Sequence, residues 1–162
     1  MSHGDNPLFQ ELLHIHGLIR GDLAKVELLA EDCAGGAAPE ELRARIAQLK
    51  SSSLLWQLKL GCLRHCRFVH GHHGLEDRAV FPSVRRVAPE LGPAIDRLER
   101  DHREVASLLV EVEGAALEVD AEGGRERLVA GLGRLGTVLL DHLAREERDL
   151  EPALARMHSW LG

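Results

Sequence analysis

His142-Leu143-Ala144-Arg145-Glu146-Glu147-Arg148-Asp149-Leu150-Glu151-Pro152 repeats, without a gap, the pattern of His72-His73-Gly74-Leu75-Glu76-Asp77-Arg78-Ala79-Val80-Phe81-Pro82: His, Glu, a second acidic residue, Arg and Pro fall at matching positions. Each stretch ends a long helical pattern, so the chain reads as two copies of one helical hairpin.

Outward from these stretches, apolar residues recur at helical spacing. Asn6 and Pro7 form an N-cap and first-turn proline, followed by Leu8, Leu12, Ile15, Ile19, Leu23 and Val26, which predicts a first helix from about Pro7 to Asp32. Cys33 to Ala38, with Gly35 and Gly36, reads as a loop, and Pro39-Glu40-Glu41 as an acidic helix start. The second helical stretch begins there, is expected to kink or break at Ser51-Ser52-Ser53, and continues from Leu54 to about Val80, ending at Phe81-Pro82. After Pro89 and Gly92, Pro93 opens a third helix that carries Leu98, Val105, Leu109 and Val112 to about Val119. Asp120 to Gly124 is a turn, and a fourth helix runs from Arg125 to about Leu150, with Pro152 and a short tail beyond. No segment shows strand alternation or a hairpin signal. Short connections between long amphipathic helices make neighbours antiparallel, so the fold expected is all-α, an up-down-up-down four-helix bundle.

The bulk properties agree. A chain of 162 residues, 44% hydrophobic, is expected to form one domain over 1–162. A formal net charge of −6 excludes a basic surface for nucleic acid. The absence of a long apolar run or a leader-like N-terminus predicts a cytoplasmic protein without a membrane segment. Three cysteines, Cys33, Cys62 and Cys66, do not make a disulfide framework and are expected to be free thiols. Ten histidines and no tyrosine are the departures from ordinary composition, and the histidines need a reason.

Helix arithmetic supplies one. At about 100° and 1.5 Å per residue, His16 and His102 lie level on the first and third helices, and His72 and His142 lie near the adjoining ends of the second and fourth. Glu76 and Glu146 share the inward faces of His72 and His142, whereas Asp77 and Glu147 point away. His16 shares its face with Leu12 and Ile19, and His102 with Leu98 and Leu109. Four imidazoles and two carboxylates in one apolar layer need compensation for their desolvation, and a pair of divalent metal ions provides it. Imidazole with carboxylate, and no thiolate at that level, favours iron.

At these residues the chain resembles a known family. His16-x-x-Ile19-Arg20, His72-His73-x-x-Glu76-Asp77 with Phe81-Pro82, Asp101-His102, and His142-x-x-x-Glu146-Glu147 with Pro152 look like the haemerythrin, or HHE cation-binding, domain over nearly the whole chain. The resemblance implies a non-haem di-iron centre with a bridging oxo or hydroxo group, which binds or reacts with O2, hydrogen peroxide or NO. His16, His72, His102 and His142 are then terminal ligands, with Glu76 and Glu146 as bridges. Oxygen-carrying haemerythrins have a fifth histidine one turn from the one on the third helix, but here those positions are Ala106 and Leu98. Each iron is then expected to keep an open position, which favours reaction, such as catalase-like peroxide removal, over reversible carriage. The alternative is a non-enzymatic sensor or carrier of O2, NO or iron, or an iron-handling protein. Glu99 and His73 are candidates for an extra ligand and are left out of the expected set.

Other histidines are given simpler roles. Cys62-Leu63-Arg64-His65-Cys66 with His70 lacks the paired spacing of a zinc site, and His65 reads as a core histidine or a support to the centre. Arg20 is expected in a salt bridge, and His3, His14, His70 and His158 in solvent. Without tyrosine, chemistry stays at the metals or uses Trp56 or Trp160, and neither tryptophan is assigned.

Overall fold

A computed structural model describes residues 6–34 and 41–158. In chain order these are α1 (Pro7–Ala34), α2 (Glu41–Leu75), a π turn (Glu76–Val80), α3 (Phe81–Val87), a 3-10 turn (Pro89–Leu91), α4 (Gly92–Leu117) and α5 (Gly124–Leu154). The described residues contain helices and turns and no strand. α1 packs on α2 and α5, and α4 packs on the same two, which closes a four-cornered bundle. Neighbours run antiparallel: Asp22 and His65 face each other across α1 and α2 at one level, and His16 and His72 at the next.

The expected caps and turns are largely found. Asn6 accepts a hydrogen bond from the Phe9 N–H at its Oδ1 (3.0 Å) and donates from Nδ2 to the Leu154 carbonyl (2.7 Å), so one side chain caps α1 and ties it to the end of α5. Between α4 and α5, Gly123 takes a left-handed conformation at φ 70°. A Cβ on Gly124 would collide with the Glu118 carbonyl, so only glycine permits that close approach. Residues 35–40, which hold most of the expected loop and the Pro39 helix start, lie outside the described residues, as do His3 and Trp160.

Three boundaries differ from expectation. α2 runs unbroken through Ser51–Ser53, because each serine costs a helix only roughly tenths of a kcal/mol against better helix formers. The helical path also does not end at Phe81-Pro82. In a regular α-helix the Pro82 ring would clash with the Arg78 carbonyl; instead the Phe81 N–H bonds to the Glu76 carbonyl, and this wider turn lets the chain continue to Val87. α5 likewise passes Pro152 and ends at Leu154, because Ala153 and Leu154 are buried and packing outweighs the one lost backbone bond.

The core is divided. One apolar lobe gathers Ile19, Leu23, Leu58, Val105, Leu109 and Leu135, among others. The other gathers Leu12, Phe81, Val84, Ile95, Leu98 and Leu150. The polar layer lies between them along every long helix: on α1, Leu12 belongs to one lobe and Ile19 to the other, with buried His16 between. Cys62 and Cys66 lie in the first lobe as free thiols, fully buried, and burial pushes both up to about 12. They do not join His65 and His70 in a ligand cluster: the Cys66 Sγ faces the Leu109 carbonyl at 3.7 Å. The side chain of Cys33 lies outside the described residues. In a Cys33→Ser variant, the two remaining thiols should react with an aromatic disulfide reagent at pH 8 only after denaturation; rapid labelling of the native protein would contradict this burial.

Candidate metal centre

The polar layer is built from one turn of each long helix. His16 comes from α1, His72 and His73 from the end of α2, Glu76 from the start of the π turn, His102 from α4, and His142 and Glu146 from α5. His16, His73, Glu76, His102, His142 and Glu146 are buried, and the His72 side chain is only 7% exposed. All six residues expected in the layer are therefore brought together, and His73 joins them.

Seven side chains form two sets of possible ligands. His16, His72, Glu76 and Glu146 place ligand atoms within 4.8 Å of one another, and His73, His102 and His142 do the same beside them. The glutamates span the sets. Glu76 Oε1 is 2.9 Å from His72 Nε2, while its Oε2 is 3.3 Å from His102 Nε2. Glu146 Oε1 is 3.7 Å from His16 Nε2, while its Oε2 is 3.0 Å from His142 Nε2. None of these approaches has the angles of a hydrogen bond: the Nε2 atoms of His16, His72, His73, His102 and His142, and all four oxygens of Glu76 and Glu146, are buried without a hydrogen-bonding partner. A buried polar atom left unpaired costs roughly 1–3 kcal/mol. Lone pairs converging on lone pairs are the arrangement that shared cations between them would satisfy, and the donor set fits a pair of nitrogen- and oxygen-liganded transition metals.

Carboxylates on neighbouring helices aim three of these imidazoles. His16 donates from Nδ1 to Glu147 Oε1 (2.9 Å), His102 from Nδ1 to Asp77 Oδ1 (2.8 Å), and His142 from Nδ1 to Asp101 Oδ2 (3.3 Å). With Nδ1–H fixed, each Nε2 presents its lone pair to the centre. Asp77 and Glu147 do point away from their own helix's inward face, as helix arithmetic requires, but that direction leads to the histidine of the next helix. Arg20 holds Glu147 through two bonds, of 2.7 and 3.1 Å, and Arg145 holds Asp101 at 2.5 Å. The salt bridge expected of Arg20 is thus part of the scaffold of His16.

Charge follows from burial and these partners. Desolvation lowers His16 and His73, and takes His72 down to about 4, so these rings are neutral at neutral pH. Burial acts to lower His142 too, but Glu146 and Asp101 beside it raise its pKa overall. Burial and the nearby Glu146 drive Glu76 well above the usual carboxylate range, whereas the imidazoles of His102 and His142 hold Glu146 well below it against burial. Burial also works against Glu147, which Arg20 and His16 nevertheless keep low.

His73, one of the two candidates for an extra ligand, lies in the layer. Its ring stacks on His102 with centroids 3.9 Å apart and planes 11° apart, and His102 is covered on its other side by Phe81 at 5.2 Å. His72 and His73 straddle the direction to the bundle axis, so about 50° of rotation either way leaves both inside. The fifth imidazole thus comes from α2, next to His72, while Ala106 occupies the position one turn along α4. Glu99 is not in the layer; it pairs with Arg85 at 3.2 Å. His65 is fully buried and donates from Nδ1 to Asp22 (3.0 Å), His70 pairs with Glu113 (3.2 Å), and His14 and His158 are exposed.

No curated protein and no solved structure matches the chain significantly. The family profile described as Hemerythrin HHE cation binding domain matches residues 8–154, which includes every residue of the layer and of its carboxylate supports. The helical bundle, the histidine and glutamate layer and this match together place the chain in the hemerythrin HHE cation-binding domain family.

Proposed function

We propose that this chain is a non-haem di-iron protein that binds and reacts with a small oxidant, O2, hydrogen peroxide or NO, and that peroxide removal is its activity. The observation that carries this reading is the convergence of five unpartnered imidazole nitrogens and four unpartnered carboxylate oxygens in one buried layer. His16 and His72 would hold one ion and His73, His102 and His142 the other, with Glu76 and Glu146 shared. Bound there, the metal pair supplies Lewis acidity and electrons.

The chain's own residues do the rest. The two apolar lobes keep bulk water from the layer. Glu147, Asp77 and Asp101 fix the tautomers of His16, His102 and His142. The sets are unequal, three imidazoles against two, so an external ligand would meet fewer protein donors at the His16 and His72 end. Asp77, which is 44% exposed, joins His102 Nδ1–H to solvent and can take or return a proton there. Peroxide disproportionation moves protons as well as electrons, and this path favours reaction. The five-imidazole set favours the second reading, a non-enzymatic carrier or sensor of O2 or NO. No described helix is long and apolar enough to cross a membrane, and the acidic balance offers nothing to nucleic acid, which fits a small-molecule partner in the cytoplasm.

Adding peroxide to the iron-loaded protein should give rapid oxygen evolution. A spectral change on oxygenation that reverses on degassing, with no evolution, would favour the carrier. His73→Ala should lower the iron bound per chain, and Glu99→Gln should not; elemental analysis of both variants distinguishes a ligand from a surface ion pair. Glu147→Ala frees both His16 and Arg20 and should weaken metal binding by roughly 10–100-fold, measured by chelator competition, whereas unchanged affinity would remove Glu147 from the support of the site. The pKa directions also predict proton release. Glu76 is raised well above the usual carboxylate range and so retains a proton that a cation must displace, while His16, His72 and His73 are already neutral. Metal affinity should therefore rise with pH, with about one proton released per centre, as titration calorimetry in buffers of different ionisation enthalpy would measure.

A further inference from the structure

A pocket of about 190 Å³ opens between α2 and α4 onto the edge of the layer. Its floor is His73 and His102; Gly74 and Ala106 keep it open, and Asp77 and Arg103 stand in its wall. Ala106 follows His102 by one turn, so any longer side chain there would fill the space directly outside the stacked rings of His73 and His102. Asp77 and the exposed Arg103 put charges of both signs beside an otherwise largely apolar lining, which suits a passage for small solutes.

The pocket meets the layer behind His73, and His73 differs from its neighbours. Carboxylates anchor His16, His102 and His142 through Nδ1, whereas the ring of His73 stacks on that of His102. Glycines flank the His72-His73 pair, and no tight packing demands them: a Cβ at Gly71 would meet nothing, and one at Gly74 only the flexible end of Arg78. Gly74 and Ala106 therefore leave the pocket open down to the His73 ring. This ring lies 5.7 Å from His72 and 4.9 Å from His142, so a solute that reaches it stands beside both ligand sets.

We propose that the α2–α4 pocket, kept open by the small Ala106, is the entrance for small solutes to the centre. This inference rests on the di-iron reading above. Azide is the probe, and its uptake by the diferric protein is followed by absorbance in stopped flow. A graded series, Ala106→Gly, Ala106→Val and Ala106→Leu, should slow uptake as the side chain grows, by at least tenfold from Gly to Leu, with iron content and the resting spectrum unchanged. Ala130→Leu adds the same bulk in the groove between α4 and α5 and should leave the rate alone. Removal of iron by a chelator should follow the same order across the Ala106 series. Equal rates across that series, or equal slowing by Ala130→Leu, overturn the entrance while the two-iron reading stands. A wild-type chain that takes up no iron overturns both.

Discussion

Five imidazoles and two carboxylates in the middle of an apolar bundle are the constraint on which the rest of this structure depends. Their ligand atoms face one another without hydrogen bonds, and the apolar lobes on either side offer no polar partner. Such a layer is unfavourable unless cations sit between the groups. Cations held there would couple metal binding to folding, because the layer exists only when the helices are in register.

That register is enforced from outside the layer. Asp77 follows Glu76 in sequence and binds the histidine of α4; Asp101 precedes that histidine and binds the one on α5; Glu147 follows Glu146 and binds the one on α1. Each helix thus orients a ring on the next, and a displacement of any one helix misaims a ring on its neighbour. Arg20 and Arg145 brace two of the three carboxylates, whereas Asp77 is left more open to solvent on the face where the pocket lies.

Much of this was legible in the residues alone. Helical periodicity placed His16, His72, His102, His142, Glu76 and Glu146 at one height and on inward faces, because 100° per residue holds well along regular helices. His73, about 100° round from His72, could be named only as a candidate for an extra ligand, because periodicity does not say whether two helix neighbours straddle the bundle axis. The outward direction of Asp77 and Glu147 was correct, but their role depends on which helix lies next to them, a tertiary fact that periodicity does not contain. The prolines misled for a related reason. Pro82 and Pro152 break local rules, yet a π turn in one case and buried terminal packing in the other carry the helix onward.

The central claim is that two ions occupy unequal nests, one of two imidazoles and one of three, joined by shared glutamates. A Mössbauer spectrum of protein loaded with iron-57 and oxidised tests it most directly. The account predicts two quadrupole doublets of equal area from a coupled, diamagnetic ground state. A single uncoupled ferric signal with half-integer spin would mean one ion per chain and would contradict it.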